Sequence, residues 1–184
     1  MGEKQVLVAS LLAVLITTGV LFYLAPEQNS SNSLKTEEEI LKCVARSTII
    51  ARGQDWVDKH VPYNQGGSHD GYRTDCSGFV SMCWELSKPG LTTSTMHTAS
   101  HEITKADLAA GDAILCPSTH IVLFAGWADS TKSHYTGMEE ANSSTGTVKR
   151  TIPFPYWSDT GCYKPYRSNT VCWLEWWFKS PLNI

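Results

Sequence analysis

The sequence carries no basic stripe and no internal repeat. Its 15 Lys and Arg residues are scattered among 18 Asp and Glu, for a formal net charge of −3. The electrostatic footprint of a nucleic-acid module is therefore missing, and nucleic-acid binding is set aside. The spacings of Cys and His fit no zinc pattern, so neither a metal nor another cofactor is expected. With 42% hydrophobic and 18% charged residues over 184 positions, the chain has apolar surface for one sizeable core and hardly two.

Charge is absent altogether from residues 6–25, "VLVASLLAVLITTGVLFYLA", which follow Lys4. A bilayer span takes ~20 such residues, whereas the apolar core of a cleaved signal is usually ~7–15. Tyr23 and Leu24 also fit a cleavage site at Ala25 poorly. The expectation is an uncleaved signal anchor, with a cleaved signal peptide as the alternative. Either way Lys4 stays inside and the remainder is exported. No cysteine follows closely enough for a lipoprotein site, Cys43 being far beyond the run. Residues 26–35, "PEQNSSNSLK", read as a polar linker.

Thr36 and Glu39 form a capping box, and Ile40, Leu41, Val44, Ala45, Thr48 and Ile49 follow on one helical face, predicting a helix to Ala51. Pro62, Gly66, Gly67 and Gly71 then predict a loop. In "YRTDCSGFV", residues 72–80, Asp75 is a favourable N-cap, and Cys76, Phe79, Val80, Cys83 and Trp84 recur at helical spacing. Cys76 falls in the first turn, where unpaired N–H groups and the positive end of the helix dipole favour a thiolate. A nucleophilic thiolate needs a base. His60 and His69 fall in the loop, His97 and His101 in a polar segment, and His134 after a turn. Only His120 opens a clear strand, "HIVLFAGWA". Further strands are predicted near 113–117, 135–141, 147–152 and 162–167.

Taken together these segments carry a resemblance. Residues 36–168 resemble the NlpC family of papain-like cysteine peptidases, which cut bacterial cell-wall peptides. "VPYNQGGSHDGYRTDCSGFV" is similar to the family's Pro-Tyr, Gly-Gly and Asp-Cys-Ser-Gly run, "KADLAAGDAIL" to its Leu-x-x-Gly-Asp approach, and "HIVLFAG" to its His-strand. Gln65, Ala110 and Val122 depart from the pattern, and residues 169–184 match none of it.

The resemblance implies an α+β, papain-like fold, with an N-terminal helix and the nucleophile helix packed on an antiparallel sheet. It implies Cys76 as nucleophile, His120 as base, and Tyr63, Asp75 and Ser77 on the substrate side, although Asp75 fits a capping role equally well. A third polar group on the strand after the His-strand would orient the imidazole. Glu140 best matches the family spacing, with Glu139 and Asn142 as alternatives; strand alternation prevents both glutamates from facing one cleft. The implied substrate is the peptidoglycan stem peptide, cut between D-glutamate and a diamino acid. Rival readings are an amidase or acyltransferase using the same Cys/His pair, and a non-catalytic wall-binding protein.

If Cys76 is free, the other five cysteines form at most two disulfides. Cys162 and Cys172 are positioned to close a loop, while Cys83 and Cys116 read as buried apolar residues. Asn29 and Asn142 each begin a glycosylation sequon, relevant only in a eukaryotic secretory route. Trp173, Trp176 and Trp177 in the tail share helical spacing, as in a terminal helix folded on the sheet or a membrane or sugar contact.

The anchor reading predicts that the mature protein begins at residue 1 or 2 and stays in the membrane fraction after a high-salt wash. Terminal sequencing checks this, because a start between residues 25 and 32 would show a cleaved signal instead.

Overall fold

The computed structural model describes residues 43–157 and 161–172. The apolar run, the linker, the capping box and the tryptophan-rich tail lie outside the described residues. Among the described residues no helix is long and apolar enough to cross a membrane.

The first helix, α1, spans Arg46–Asp58 and buries Ile49, Gly53 and Trp56, a four-then-three spacing that gives one apolar face. It starts later and ends later than the periodicity suggests. Residues 43–45 are extended because Cys43 is disulfide-bonded to Cys172 and Val44 forms a parallel bridge with Val171. Those tertiary ties override the helical pattern at 43–45. Gly53 lets α1 settle onto the sheet: a Cβ there would lie 3.0 Å from Met138 Sδ and 3.1 Å from Leu123 Cδ2.

The predicted loop is a β-hairpin. Strands β1 (Asn64–His69) and β2 (Tyr72–Thr74) pair antiparallel across Asp70 and Gly71, both at positive φ (52° and 85°). Asp-Gly is a preferred sequence for such a turn. β2 leads directly into α2 (Cys76–Cys83), in which all eight residues are buried.

The main sheet is six-stranded and antiparallel. Its strands are β3 (Ser100–Glu102), β4 (Ala113–Cys116), β5 (His120–Trp127), β6 (His134–Glu140), β7 (Thr147–Pro153) and β8 (Lys164–Ser168), in spatial order β3-β8-β4-β5-β6-β7. Only β3, three residues at an edge, has no counterpart in the sequence reading. One face packs Ile121, Leu123 and Met138 against Trp56, Phe79, Val80 and Cys83 of the helices. The other buries Val122, Phe124, Tyr135 and Ile152 beneath Leu108, Tyr156 and Tyr163. Because both faces are covered, β4 and β5 read as continuous apolar runs.

Asp112 is fully buried and accepts from Arg46 at 3.0 Å, from Arg167 at 2.8 and 2.9 Å and from the Ala109 N–H at 2.9 Å. The indole N–H of Trp84 donates to the neighbouring Gly111 carbonyl at 2.8 Å. The Gly-Asp pair thus joins the start of α1, the end of α2 and β8.

Two disulfides form, Cys43–Cys172 and Cys116–Cys162, leaving Cys76 and Cys83 free. The proposed Cys162–Cys172 loop is therefore corrected, as is the reading of Cys116 as a plain apolar residue. β4 ends where the segment before β8 crosses it, which brings Cys162 to Cys116. Cys83 is a fully buried thiol, and burial raises its pKa far above the ordinary range. The Cys43–Cys172 link closes a span of 129 residues, and replacing both cysteines by Ser should lower stability by about 2–5 kcal/mol in denaturant unfolding.

Candidate active site

Cys76 opens α2 and is 8% exposed. The turn that places it is built by its neighbours. Asp75 is extended and its Oδ1 accepts from the Gly78 N–H at 2.7 Å, the N-cap bond that starts the helix. A Cβ at Gly78 would lie 2.0 Å from the Arg73 carbonyl oxygen, so only glycine lets β2 and α2 meet this closely.

The partner side of the site comes from the sheet. His120 begins β5 directly opposite Cys116 of β4, and its side chain is 12% exposed. Its Nε2 meets Glu139 Oε2 at 2.6 Å. Burial by itself works against the imidazolium, but hydrogen bonds with Cys76 and Glu139, and the charges of both, raise the His120 pKa from 6.5 to about 9. With Nε2 on the carboxylate, Nδ1 is the nitrogen left for the thiol.

Glu139 is completely buried and carries three partners. Its Oε1 accepts from Arg150 Nε at 2.9 Å and Nη2 at 2.8 Å, and its Oε2 also accepts from the Tyr156 hydroxyl at 2.9 Å. Burial pushes the Glu139 pKa up, yet the bond to His120, the charges of His120 and Arg150 and the Tyr156 bond together hold it below the usual carboxylate range. The Tyr156 ring lies 5.3 Å from the imidazole and 4.8 Å from Tyr163.

The structure thus corrects the choice of third residue: Glu139, not Glu140, meets His120. Alternation does separate the two glutamates, but the assignment of faces is reversed. His120, Val122 and Phe124 share one face of β5; Phe124 stands opposite Gly137 and Leu123 opposite Met138. Glu139 follows Gly137 onto the His120 face, and Glu140 follows Met138 onto the face covered by the helices. There Glu140 Oε1 lies 2.6 Å from Thr147 Oγ1, while Oε2 has no partner among the described residues. Burial raises the Glu140 pKa to about 7, opposed by the Thr147 bond and assisted by the charge of Asp75. Asn142 folds into its own turn, its Oδ1 accepting from Ser144 N and Thr145 Oγ1.

Of the residues assigned to the substrate side, Ser77 is buried and donates to Asp75 Oδ1 at 3.0 Å. Asp75 Oδ2 accepts from Arg73 Nε at 2.8 Å, so both carboxylate oxygens are engaged. Tyr63 is half-buried, with its hydroxyl accepting from Gln65 at 3.2 Å. It stands two residues after Val61, whose carbonyl accepts from the Thr147 hydroxyl that also meets Glu140. Sequence reasoning missed Arg73, Arg150 and Tyr156. Arg150 alternates with Lys149 on a strand with no pattern to single it out, and Tyr156 lies beyond β7 in a segment that only the tertiary fold brings to His120.

The two glutamates should separate in a pH series. Glu139→Gln should cut turnover at least about tenfold and move the loss of activity, expected near pH 9 in the parent, to lower pH. Glu140→Gln should instead leave that limb in place. Because the folded-state pKa of Glu140 is raised, stability is lost as pH rises from about 4.5 through about 7. Glu140→Gln abolishes that loss, so thermal melts should show it gaining on the parent protein between pH 5 and pH 8.

No family model and no curated protein matches the sequence. Solved structures do. A crystal structure of an NlpC/P60 family protein from Bacillus cereus ATCC 10987 matches with a TM-score of 0.51 at 16% identity, covering 70% of this chain and 41% of that one. A protein described as similar to lipoprotein, NLP/P60 family, from Staphylococcus aureus subsp. aureus Mu50 gives a TM-score of 0.40 at 19% identity over 61% of this chain and 36% of that one. The chain therefore spans less than half the length of either solved protein. Helices packed against an antiparallel sheet are the fold that this chain shares with the NlpC/P60 family protein of Bacillus cereus.

Proposed function

We propose that this chain is an exported cysteine peptidase acting on the stem peptides of bacterial peptidoglycan, cutting between D-glutamate and the diamino acid. The observation that carries the proposal is the line Cys76, His120, Glu139. A thiol at a helix start contacts an imidazole that is held on its other nitrogen by a buried carboxylate. That arrangement keeps a proton on the imidazole through neutral pH and has no evident structural purpose at the first residue of a strand.

In this mechanism the Cys76 sulfur, as thiolate, attacks the peptide carbonyl, and the backbone N–H of Cys76 at the start of α2 stabilises the developing oxyanion. His120 gives its proton to the leaving amine, which departs and leaves a thioester on Cys76. The now neutral imidazole draws a proton from water as the water attacks the thioester, releasing the acid and restoring the thiolate and imidazolium. Glu139 orients the ring and stabilises its charge, and Arg150 and Tyr156 keep Glu139 ionised and fixed. No step calls for a metal or an organic cofactor.

Two disulfides support an oxidising, extracytoplasmic setting, in keeping with the export inferred for residues 6–25. Residues 36–168 form the catalytic domain in this reading, with the apolar run as its link to the membrane if it is not cleaved.

Incubating purified peptidoglycan with the protein and identifying the fragments by mass spectrometry tests the proposal. New amino ends on the diamino acid should appear. Cys76→Ala should abolish them while leaving the melting temperature near that of the parent, since Ala is well tolerated in a helix. Undiminished release by Cys76→Ala would rule out the thiol mechanism, and release of a different fragment would move the assignment to an amidase.

A further inference from the structure

The charges around Cys76 are balanced within the protein. Glu139 is met by Arg150 and His120, and Glu140 holds its proton up to about pH 7. Asp75, immediately before the nucleophile, is met by Arg73. Each of these three carboxylates is thus either paired with a cation inside the protein or, below about pH 7, protonated.

Arg73 is a firm fixture. Besides Nε on Asp75 Oδ2, its Nη2 donates to Ser77 Oγ at 3.1 Å and to the Leu91 carbonyl at 2.6 Å, and its Nη1 donates to the Gly90 carbonyl at 2.7 Å. It covers both polar side chains that flank the nucleophile, and the carbonyls of residues 90 and 91 hold it there. An ammonium approaching Asp75 and Ser77 must displace a guanidinium that is 22% exposed and bonded to Asp75, Ser77 and the carbonyls of residues 89, 90 and 91, or remain beside its positive charge. A neutral amide meets neither obstacle.

We infer that Arg73 is a specificity-determining residue that makes the cleft select stem peptides whose amino end is acylated, as it is while still joined to the glycan, over peptides with a free ammonium. This rests on the peptidase reading above. It assigns the enzyme to intact wall and places it ahead of any reaction that detaches the peptide from the sugar.

The test compares one stem tripeptide, L-alanyl-γ-D-glutamyl-diamino acid, with a free and with an N-acetylated amino end, using the full chain. At pH 6.5 the acetylated form should have a kcat/KM about tenfold higher, the size of one unfavourable charge contact in a partly buried site. The preference should shrink as the pH passes ~8, where an α-amino group loses its charge. Arg73→Gln, with its fold checked by melting, should lose most of the preference by gaining on the free peptide. Equal or better use of the free-amine peptide by the parent protein would overturn the inference, as would an unchanged ratio in folded Arg73→Gln. Failure to cut either peptide would sink the peptidase reading instead. Calorimetric binding of the pair to Cys76→Ala would then still show whether the cleft prefers the acylated end.

Discussion

The 2.6 Å contact between His120 Nε2 and the fully buried Glu139 is the interaction on which the rest of the site depends. A buried carboxylate persists as an anion only when it is paired and hydrogen-bonded, and removing one partner costs more than the pair contributes. Glu139 therefore recruits a bidentate Arg150 from β7, a hydroxyl from Tyr156 beyond β7 and the imidazole from β5. Three successive stretches of chain are committed to one side chain. The Cys116–Cys162 disulfide reinforces this arrangement, because Cys116 pairs with His120 across the sheet and Cys162 precedes Tyr163, which packs on Tyr156. Oxidation of that pair, the ring stack and the ion pair all act on the same imidazole.

The adjacent glutamates show how far environment outweighs residue type. Both are completely buried and consecutive, yet the pKa of one falls and that of the other rises. Glu139 faces two cationic groups and a phenol. Glu140 faces a hydroxyl, with the negative charge of Asp75 nearby. Desolvation acts on both in the same direction, and only Glu139 has neighbours that outweigh it. A similar economy governs the opposite wall, where Asp75 caps α2, pairs with Arg73 and accepts from Ser77 with just two oxygens. The turn that carries Cys76 is thereby stiffened from both sides, and Gly78 removes the one Cβ that would force it open.

Much of this was legible in the chain. Asp75, followed by apolar residues at helical spacing, specified α2 and the position of Cys76 within it, because capping and periodicity are local effects. The strands that became β4 to β8 were foreseen to within a residue or two. The β1–β2 hairpin was also written locally, in Asp70-Gly71, but the surrounding glycines obscured it. Elsewhere local signals were overruled. Val44 continued a helical pattern but is held in a bridge to Val171, and Cys116 looked like a core residue until Cys162 arrived from 46 positions away.

By itself the sequence determined the helix that opens on Cys76, the candidate base at the head of a buried strand, and the rule that Glu139 and Glu140 must face opposite ways. Only the tertiary structure decided which of them faces His120. Strand alternation has two equivalent settings, and in a sheet buried on both faces the apolar pattern of β5 is the same in either. The choice was made by pairing Phe124 with Gly137 and by packing the helices against Leu123 and Met138, contacts between residues far apart in the chain. Arg73, Arg150 and Tyr156 were invisible for the same reason. Each is an ordinary polar residue in its own segment, and its role exists only where another segment brings the partner.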